Sequence, residues 1–227
     1  MMQLPSNTLF NRKIPKNKFY EKLHANQRLK DKFVHQVESI TWKHKLSKET
    51  IRLEPRDDIV EIQIFEIRLK QKSDVHDILK RIDQAIPYPI LHILLIEDDV
   101  KLAIAYKEKH KQDEHKYVVR SYYESEWQPA QSIQFQVIQG LDLKAVYENM
   151  IRQLLTIEAK PSDELQVSLE RQEQIEQLSK ACDKLKKSML REKQFDRKVA
   201  LNIELQKKQK ELDRLLEENK EGTSNHE

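Results

Sequence analysis

Apolar residues are spaced at helical intervals near the start of the chain and alternate with polar residues further along. In "QRLKDKFVHQVESITWKHKL", residues 27–46, they fall on one helical face, which predicts an amphipathic helix. Its buried stripe comprises Leu29, Phe33, Val37, Ile40 and Leu46. After Pro55 the pattern changes to alternation rich in Ile, Val and Phe over residues 59–69, which predicts a β-strand.

Further strands are predicted at residues 90–96, 102–107, 116–123 and 132–138, and the charged connections between the first three favour antiparallel hairpins. Two more helices are predicted. One is capped by Asp74 and ended by "IPYP", and the other runs from Asp142 to about residue 159. The predicted fold class is therefore α+β: a mostly antiparallel sheet of about five strands packed with three helices, followed by a long C-terminal coiled-coil arm.

That arm is predicted from a heptad pattern beyond Pro161. Residues 162–221 contain no Pro or Gly, and apolar residues there follow alternating steps of three and four. A break near residues 190–194 favours an antiparallel helical hairpin, because one long helix would leave its seam uncovered. The seam residues, which are also the candidate partner-binding residues, are Ile175, Leu178, Leu185, Phe195, Asn202, Leu205 and Leu212.

The predicted domains are a globular domain at residues 1–161 with a basic N-terminal arm, the coiled-coil arm at 162–221 and a disordered tail at 222–227. Composition excludes several functions. Two glycines are too few for the loops that cradle phosphates in nucleotide-binding proteins. The single cysteine, Cys182, has no disulfide partner and no companions for zinc, which favours a reducing, cytoplasmic setting. The longest apolar runs, such as "ILHILLI", are too short to span a membrane. We expect no cofactor, no bound metal and no membrane contact.

The strand "RDDIVEIQIFEIRLK", residues 56–70, raises the question of nuclease chemistry. A metal-dependent nuclease needs carboxylates that converge on Mg²⁺, with a Lys or Gln to orient the attacking water. Glu61 and Gln63 point to the same face of the strand, and the upstream carboxylates available are Asp57, at the strand entrance, and Glu38, on the first helix. These four residues are the catalytic candidates if the protein is an enzyme.

A structural explanation of the same strand competes with the nuclease. Phe65, Ile67 and Leu69 share the face of Glu61 and Gln63, so the apolar face switches at residues 64–65. A bulge there, or a central strand covered on both sides, produces that switch without catalysis. We therefore expect no catalytic residues in this strand.

The N-terminal arm is strongly basic. Residues 1–50 contain eleven Lys and Arg against four Asp and Glu. Because cations neutralise phosphates, Arg12, Lys13, Lys16 and Lys18 are the candidate nucleic-acid-binding residues. The alternative is a solvated basic face. The interleaved apolar residues are expected to fix the arm to the core instead of stacking on bases; they are Phe10, Ile14, Phe19 and Tyr20.

Seven segments are distinctive together: "NRKIPKNKFYEKL", "FVHQVESITWKHKLSKETI", "EIQIFEIRLK", "IDQAIPYPILHILL", "KLAIAYKE", "SYYESEW" and "REKQFDRKVALNIEL". Through them the chain resembles, over nearly its whole length, an uncharacterised bacterial family catalogued as domain of unknown function 4391. That family has no established activity and no agreed catalytic residues. Its members are typically encoded beside DNA methyltransferases and superfamily-two helicases, in islands that resemble restriction–modification or phage-defence systems.

The resemblance implies a partner, namely a helicase and/or a DNA methyltransferase of the same operon, with DNA as a further ligand. We expect a non-enzymatic accessory or scaffolding protein that docks onto this partner, with the coiled-coil arm as the docking element and self-association through the same arm as the alternative. Two other hypotheses compete: a divalent-metal-dependent nuclease using the Glu61–Gln63 strand, and a DNA-binding module using the basic N-terminal arm.

Overall fold

A computed structural model of the protein describes residues 4–22, 26–110, 113–157 and 164–221. Contacts between residues divide the chain into two compact units, Met1–Leu154 and Leu155–Glu227. The tail predicted at residues 222–227 lies outside the described residues.

One mixed sheet forms the first unit. Its strands are β1 (Leu9–Lys13), β2 (Val37–Ser47), β3 (Glu61–Leu69), β4 (Ile90–Ile96), β5 (Asp99–His110), β6 (Asp113–Glu124) and β7 (Gln128–Pro129). They lie in the order β1-β2-β3-β4-β5-β6, and β7 pairs with β5. Strands β3 and β4 run parallel, and the other described pairs are antiparallel. The sheet is mostly antiparallel, as predicted, but it is larger than the predicted five strands.

The described residues contain seven α-helices. The sequence predicted three helices in the globular domain, followed by the helical arm. The first unit contains α1 (Lys16–Lys22), α2 (Gln27–Gln36), α3 (Lys48–Ile51), α4 (His76–Ala85) and α5 (Leu143–Arg152). The second contains α6 (Leu165–Arg191) and α7 (Phe195–Glu221). Helix α4 makes the crossover that lets β3 and β4 run parallel. No helix in the described part of the chain is long and apolar enough to cross a membrane.

Strand β2 replaces the second half of the helix predicted at residues 27–46. Helix α2 ends at Gln36, and β2 begins at Val37. Residues 37–46 also alternate and include β-branched and aromatic side chains, so the same apolar positions fit both periods. Pairing with β3 along the whole of β2 favours the strand. Glu38, expected on a helix, therefore lies in β2.

The strand predicted at residues 132–138 is absent from the described structure of that segment. The side chain of Gln153 takes the place of a neighbouring strand. Its Oε1 accepts from the backbone N–H of Gln136 at 2.8 Å, and its Nε2 donates to the carbonyl of Gln136 at 2.9 Å. One side chain thus satisfies the backbone groups that a sheet partner would bind.

Strand β3 is the central strand that explains the switch of its apolar face. Ile62, Ile64, Phe65 and Ile67 are all 0% exposed, so both faces are covered. Helices α2 and α4 supply residues to the core that contains Phe65 and Ile67, and α5 contacts β3 and β5. Strand β2 also carries an extra residue, Lys43, opposite Ile64 and Phe65. Two features that explain the switch therefore occur together: β3 is covered on both faces, and its neighbour β2 carries a bulge.

The helix starts follow local capping chemistry. Asp142 caps α5 as predicted, because its side chain accepts from the backbone N–H of Ala145 at 2.8 Å. Helix α5 then ends at Arg152, earlier than the predicted residue 159. The cap predicted for α4 is displaced: Val75 is the N-cap, and Asp74 accepts from the N–H of His76 at 2.9 Å.

Helices α6 and α7 pack against each other as an antiparallel hairpin, with residues 192–194 between them. Each helix has 27 residues and is about 40 Å long at ~1.5 Å per residue. Ile175 of α6 and Leu212 of α7 share an apolar cluster with Ile157, which precedes α6, and Leu178 and Leu215 are half-buried beside them. The second unit therefore has its own apolar core.

Candidate functional site

Glu61 and Gln63 lie side by side at the start of β3, on the same face, as predicted. Gln63 Nε2 donates to Glu61 Oε1 at 2.7 Å, and Lys45 Nζ lies 2.9 Å from the second oxygen, Oε2. The hydrogen bond to Glu61 raises the pKa of Lys45. Both Glu61 oxygens are therefore engaged by neighbouring side chains from β2 and β3.

The other two nuclease candidates do not join this pair. Val37 pairs with Leu69 and Ser47 with Glu61, so Glu38 lies at the opposite end of β2, about 30 Å away at ~3.3 Å per residue. Asp57 is exposed and bonds Lys144, with 2.6 Å between Oδ2 and Nζ. Within the described ranges, no three His, Cys, Asp or Glu side chains form a group that could hold a metal ion.

A buried cluster of charged and polar side chains was not predicted. Asp83 of α4 is contacted by His92 of β4, Lys107 of β5 and Tyr122 of β6. Asp83, His92 and Lys107 are each at most 5% exposed. His92 Nε2 lies 2.9 Å from Asp83 Oδ2, and the Tyr122 hydroxyl donates to the same oxygen at 2.5 Å. Lys107 Nζ lies 2.8 Å from Oδ1, at ion-pair distance but not aligned for a hydrogen bond.

Lys107 also binds the end of α4 and the turn after it. Its ammonium donates to the carbonyls of Asp83, Ile86 and Tyr88 at 3.1, 3.0 and 2.7 Å. These carbonyls lie where a helix ends and two prolines follow, so they lack intrahelical partners. A cation at the carboxyl end of a helix is favoured by the helix dipole as well.

Electrostatics keep the Asp83 carboxylate of the cluster ionised. Burial raises the pKa of Asp83, but Lys107 and His92 outweigh burial and lower that pKa from 3.8 to about 2. Burial lowers the pKa of Lys107, and Asp83 opposes that effect. The opposite charges of Asp83 and Lys107 therefore lie next to each other, and both side chains are buried away from solvent. This arrangement is suited to anchoring α4 onto the sheet, since a catalytic group must reach a substrate.

The sequence contained one sign of this cluster. His92 interrupts the apolar run "ILHILLI", and a polar side chain in a strand buried on both faces needs a buried partner. Asp83 lies on the helix before that run, and Lys107 follows two alanines of the same strand face, Ala103 and Ala105. The pairing itself depends on sheet order, which periodicity does not give.

Among the basic candidates, Lys16 serves the fold. Its Nζ donates to the carbonyl of Val37 at 2.6 Å and lies 3.4 Å from that of Phe33, at the end of α2. Burial is the main cause that lowers the pKa of Lys16, followed by the nearby charge of Lys70. Lys70 donates to the carbonyl of Val34 at 2.7 Å, so both lysines bind the same helix end.

Arg12, Lys13 and Lys18 are exposed and make no ion pair within the part of the chain that the structure describes. Strand β1, which carries the first two, is an outer strand of the sheet. These three cations are therefore free to meet an external anion.

Phe10 departs from the prediction that the apolar residues of the arm pack on the core. Phe19 is buried, and Ile14 and Tyr20 pack partly against the core, as expected. Phe10 remains 42% exposed, and its ring centroid lies 4.2 Å from that of Trp42. The two rings form a half-exposed aromatic pair at the outer strand.

The predicted seam of the hairpin is partly correct. On α6, Ile175 is buried and Leu178 and Leu185 are half-buried. On α7, Leu212 is buried and Leu205 half-buried, but Asn202 and Phe195 are exposed. The covered side chains of α7 include Leu201, Leu205, Leu212, Leu215 and Asn219. Leu205 and Leu212 agree with the predicted seam, whereas Leu201 is covered in place of Asn202.

Apolar side chains remain uncovered at the end of the hairpin where the two helices connect. Their exposed fractions are 85% for Leu190, 78% for Phe195, 42% for Val199 and 62% for Ile203. We call these four residues the tip patch. Exposed cations lie close to it in the sequence, namely Lys186, Lys187, Arg191, Lys193, Arg197 and Lys198.

The fold and these surfaces define a class of protein: an α+β domain with a buried ion cluster, joined to a helical hairpin with an apolar tip. The chain belongs to the family described as domain of unknown function (DUF4391), whose family model matches residues 2–212. This confirms the resemblance found in the sequence. Neither the curated proteins nor the solved structures include a match.

Proposed function

We propose that the protein is a non-enzymatic accessory protein of the bacterial cytoplasm that docks, through the tip patch, onto a protein that acts on DNA. The observation that carries this proposal is the exposure of Leu190, Phe195 and Ile203, each more than half exposed. Large apolar side chains grouped in this way mark interaction surfaces more often than isolated ones do.

The remainder of the hairpin supports the tip as the docking site. Ile175 and Leu212 are covered inside the hairpin, so the seam is already occupied by this chain. The most exposed large apolar residues of α6 and α7 lie in the tip patch, namely Leu190, Phe195 and Ile203. A partner that binds there needs no opening of the hairpin.

The cations around the tip patch indicate the kind of partner. Residues 183–204 contain seven Lys and Arg against four Asp and Glu. Complementary charge favours a partner surface with an apolar centre and carboxylates at its rim, such as an acidic amphipathic helix. The charged rim sets orientation and association rate, and Phe195 at the centre supplies the apolar contact.

The identity of the partner comes from the family resemblance. The resemblance implies that members of the family are encoded beside DNA methyltransferases and superfamily-two helicases, and this setting supports a role in a restriction–modification-like or phage-defence system. We propose the helicase or the methyltransferase of the same operon as the protein that binds the tip patch.

Binding of each purified partner to the immobilised full chain tests this proposal. The variant Leu190→Ser/Phe195→Ser/Ile203→Ser should lose binding by at least about tenfold, because hot-spot residues contribute on the order of 2 kcal/mol each. A matched variant replaces three exposed apolar residues elsewhere, Val60→Ser/Leu141→Ser/Val167→Ser, and should bind like the wild type.

If neither partner binds the wild type, or if both variants bind equally well, docking through the tip patch is refuted. Size-exclusion chromatography of the wild type and the tip variant separates docking from self-association. A dimer that dissociates in the tip variant would assign the tip patch to a second copy of this chain.

An enzymatic alternative rests on the contact between Glu61 and Gln63, which places a carboxylate and an amide beside Lys45 at one end of the sheet. A nuclease with these groups would nick plasmid DNA in the presence of Mg²⁺ or Mn²⁺, and Glu61→Ala would abolish the activity. Nicking that persists in Glu61→Ala, or no nicking by the wild type, excludes this site.

A further inference from the structure

Strand β1 and the start of α1 combine unpaired cations with exposed aromatic surface. Residues 4–22 contain five Lys and Arg and one Glu, and no Asp. Lys16 binds backbone carbonyls, whereas Arg12, Lys13 and Lys18 remain exposed without an ion pair in the described residues. The charge of Lys16 persists beside them, since its ammonium is bound by neutral carbonyls. Glu38 of β2 is a carboxylate close enough to act on Lys16, and the three exposed cations leave the local field positive.

The register of β1 on β2 places an aromatic pair within this field. Arg12 is the cross-strand partner of Trp42, and the Phe10 ring lies 4.2 Å from the Trp42 ring at an interplanar angle of 38°. Trp42 is held by a hydrogen bond from Nε1 to the carbonyl of His44 at 2.9 Å and by contact with Phe65. Trp42 thus supports Phe10, which is 42% exposed.

We propose that this surface, formed by Phe10, Arg12, Lys13, Lys18 and Trp42, binds single-stranded nucleic acid. The three cations contact phosphates, with Arg12 and Lys13 on opposite faces of the outer strand, and an unpaired base stacks on Phe10. Cations along a strand edge together with an exposed aromatic ring are the two features that single-strand binding uses. The inference goes beyond docking through the tip patch and uses residues of the first unit alone.

The aromatic pair favours a single strand over a duplex. Phosphate contacts alone serve both forms, but a base can stack on a side chain only after it leaves its own stack. Phe10 would have no contact to make with the backbone of an intact duplex. The same geometry predicts little sequence preference, because every base has a face that can stack.

Fluorescence anisotropy of a labelled oligothymidylate with the full chain tests the proposal. The variant Arg12→Glu/Lys13→Glu/Lys18→Glu should bind weakly, and its slope of log affinity against log salt should be shallower by about 2, at ~0.7 for each phosphate contact. The matched control Lys80→Glu/Lys207→Glu/Lys210→Glu removes the same charge from exposed lysines elsewhere. It should retain most of the affinity.

Phe10→Ala tests the stacking contact. Its affinity for oligothymidylate should fall by about fivefold to a hundredfold, while its weaker affinity for a duplex of the same length stays constant. A second measurement leaves the proposed site unchanged: Trp127→Phe leaves Trp42 as the single tryptophan. Its fluorescence should change when oligothymidylate binds.

The proposal is overturned if the wild type shows no salt-dependent binding, or if the control loses as much affinity as the β1 variant. It is also overturned if Phe10→Ala binds oligothymidylate like the wild type, or if the duplex binds more tightly than the single strand. The tip-patch variant should bind oligothymidylate normally, so failure of either proposal is recognised separately.

Discussion

Single residues in the interior carry more of the specificity of this fold than its surface charges do. Lys107 contributes one cation to Asp83 and to three carbonyls of α4 and the following turn. Exposed pairs such as Lys48 with Glu54 contribute little, because water solvates both partners. Removal of one member of a buried set leaves the others without compensation.

Lys107→Met should lower the free energy of unfolding by about 3–5 kcal/mol, since Asp83 would stay buried without its cation. Urea unfolding followed by circular dichroism measures the change. Lys80→Met, on the exposed side of α4, is the control and should change stability by less than about 0.5 kcal/mol. Equal midpoints and slopes for the two variants would contradict the anchoring role of Lys107.

Tyr147 gives a second test at this scale. Its hydroxyl accepts from the N–H of Lys107 at 2.9 Å and donates to the carbonyl of Ala105 at 2.7 Å, where the pairing of β5 with β6 shifts register. Burial is the main cause that raises the pKa of Tyr147 well above its ordinary value. The hydroxyl therefore replaces the ladder hydrogen bonds that the bulge interrupts.

Tyr147→Phe should cost about 1–3 kcal/mol, because two buried backbone groups lose their partner. The amide of Lys107 should also exchange its hydrogen faster, which nuclear magnetic resonance detects at one residue. Tyr20→Phe provides the comparison, since the structure shows no hydrogen bond of the Tyr20 hydroxyl to another described residue. Unchanged exchange at Lys107 would show that the hydroxyl is dispensable.

At the scale of elements, periodicity predicted the presence of β3, β4, β5 and β6 and the division of the arm into two helices. It failed where one apolar pattern fits two periods, as at residues 37–46, which pair with β3 as a strand. It also could not give the parallel pairing of β3 and β4, because sheet order depends on contacts between residues distant in sequence. The buried ion cluster depends on that order, so its pairing could not be predicted either.

The covered face of α7 can be tested with two leucines that lie four residues apart in the helix. Leu212 is 8% exposed and Leu216 is 37% exposed. Leu212→Ala should therefore destabilise the hairpin by roughly 2–3 kcal/mol, and Leu216→Ala by less than about 1 kcal/mol. Thermal loss of helical circular dichroism measures both. A larger effect for Leu216→Ala would contradict the burial of Leu212 in the hairpin.

At the scale of the whole molecule, the Asp83 cluster makes stability depend on acid pH. The folded pKa of about 2 lies below the ordinary value of 3.8, so the folded state holds fewer protons in this window. The stabilisation is complete above pH 4 and is lost as the pH falls from about 4 to about 2. This loss amounts to about 2 kcal/mol, at ~1.4 kcal/mol for each pKa unit.

Urea unfolding at several pH values between about 6 and about 2 measures this dependence. The double variant Asp83→Asn/Lys107→Met removes both charges together and should show a shallower decline below pH 4. Surface carboxylates contribute equally to both proteins and cancel in the comparison. Parallel curves for the two proteins would mean that Asp83 does not titrate as the structure indicates.

The irregularity of β1 has a consequence for association between copies. An outer strand with unpaired backbone groups is a template on which another chain can add a strand and begin a fibre. In β1, Asn11 has a φ of 48°, and the register shifts between Leu9 and Arg12. A continuous ladder cannot form across that kink, and the cations beside it repel a second copy. Asn11 therefore protects an edge whose Leu9 and Phe10 would otherwise invite aggregation.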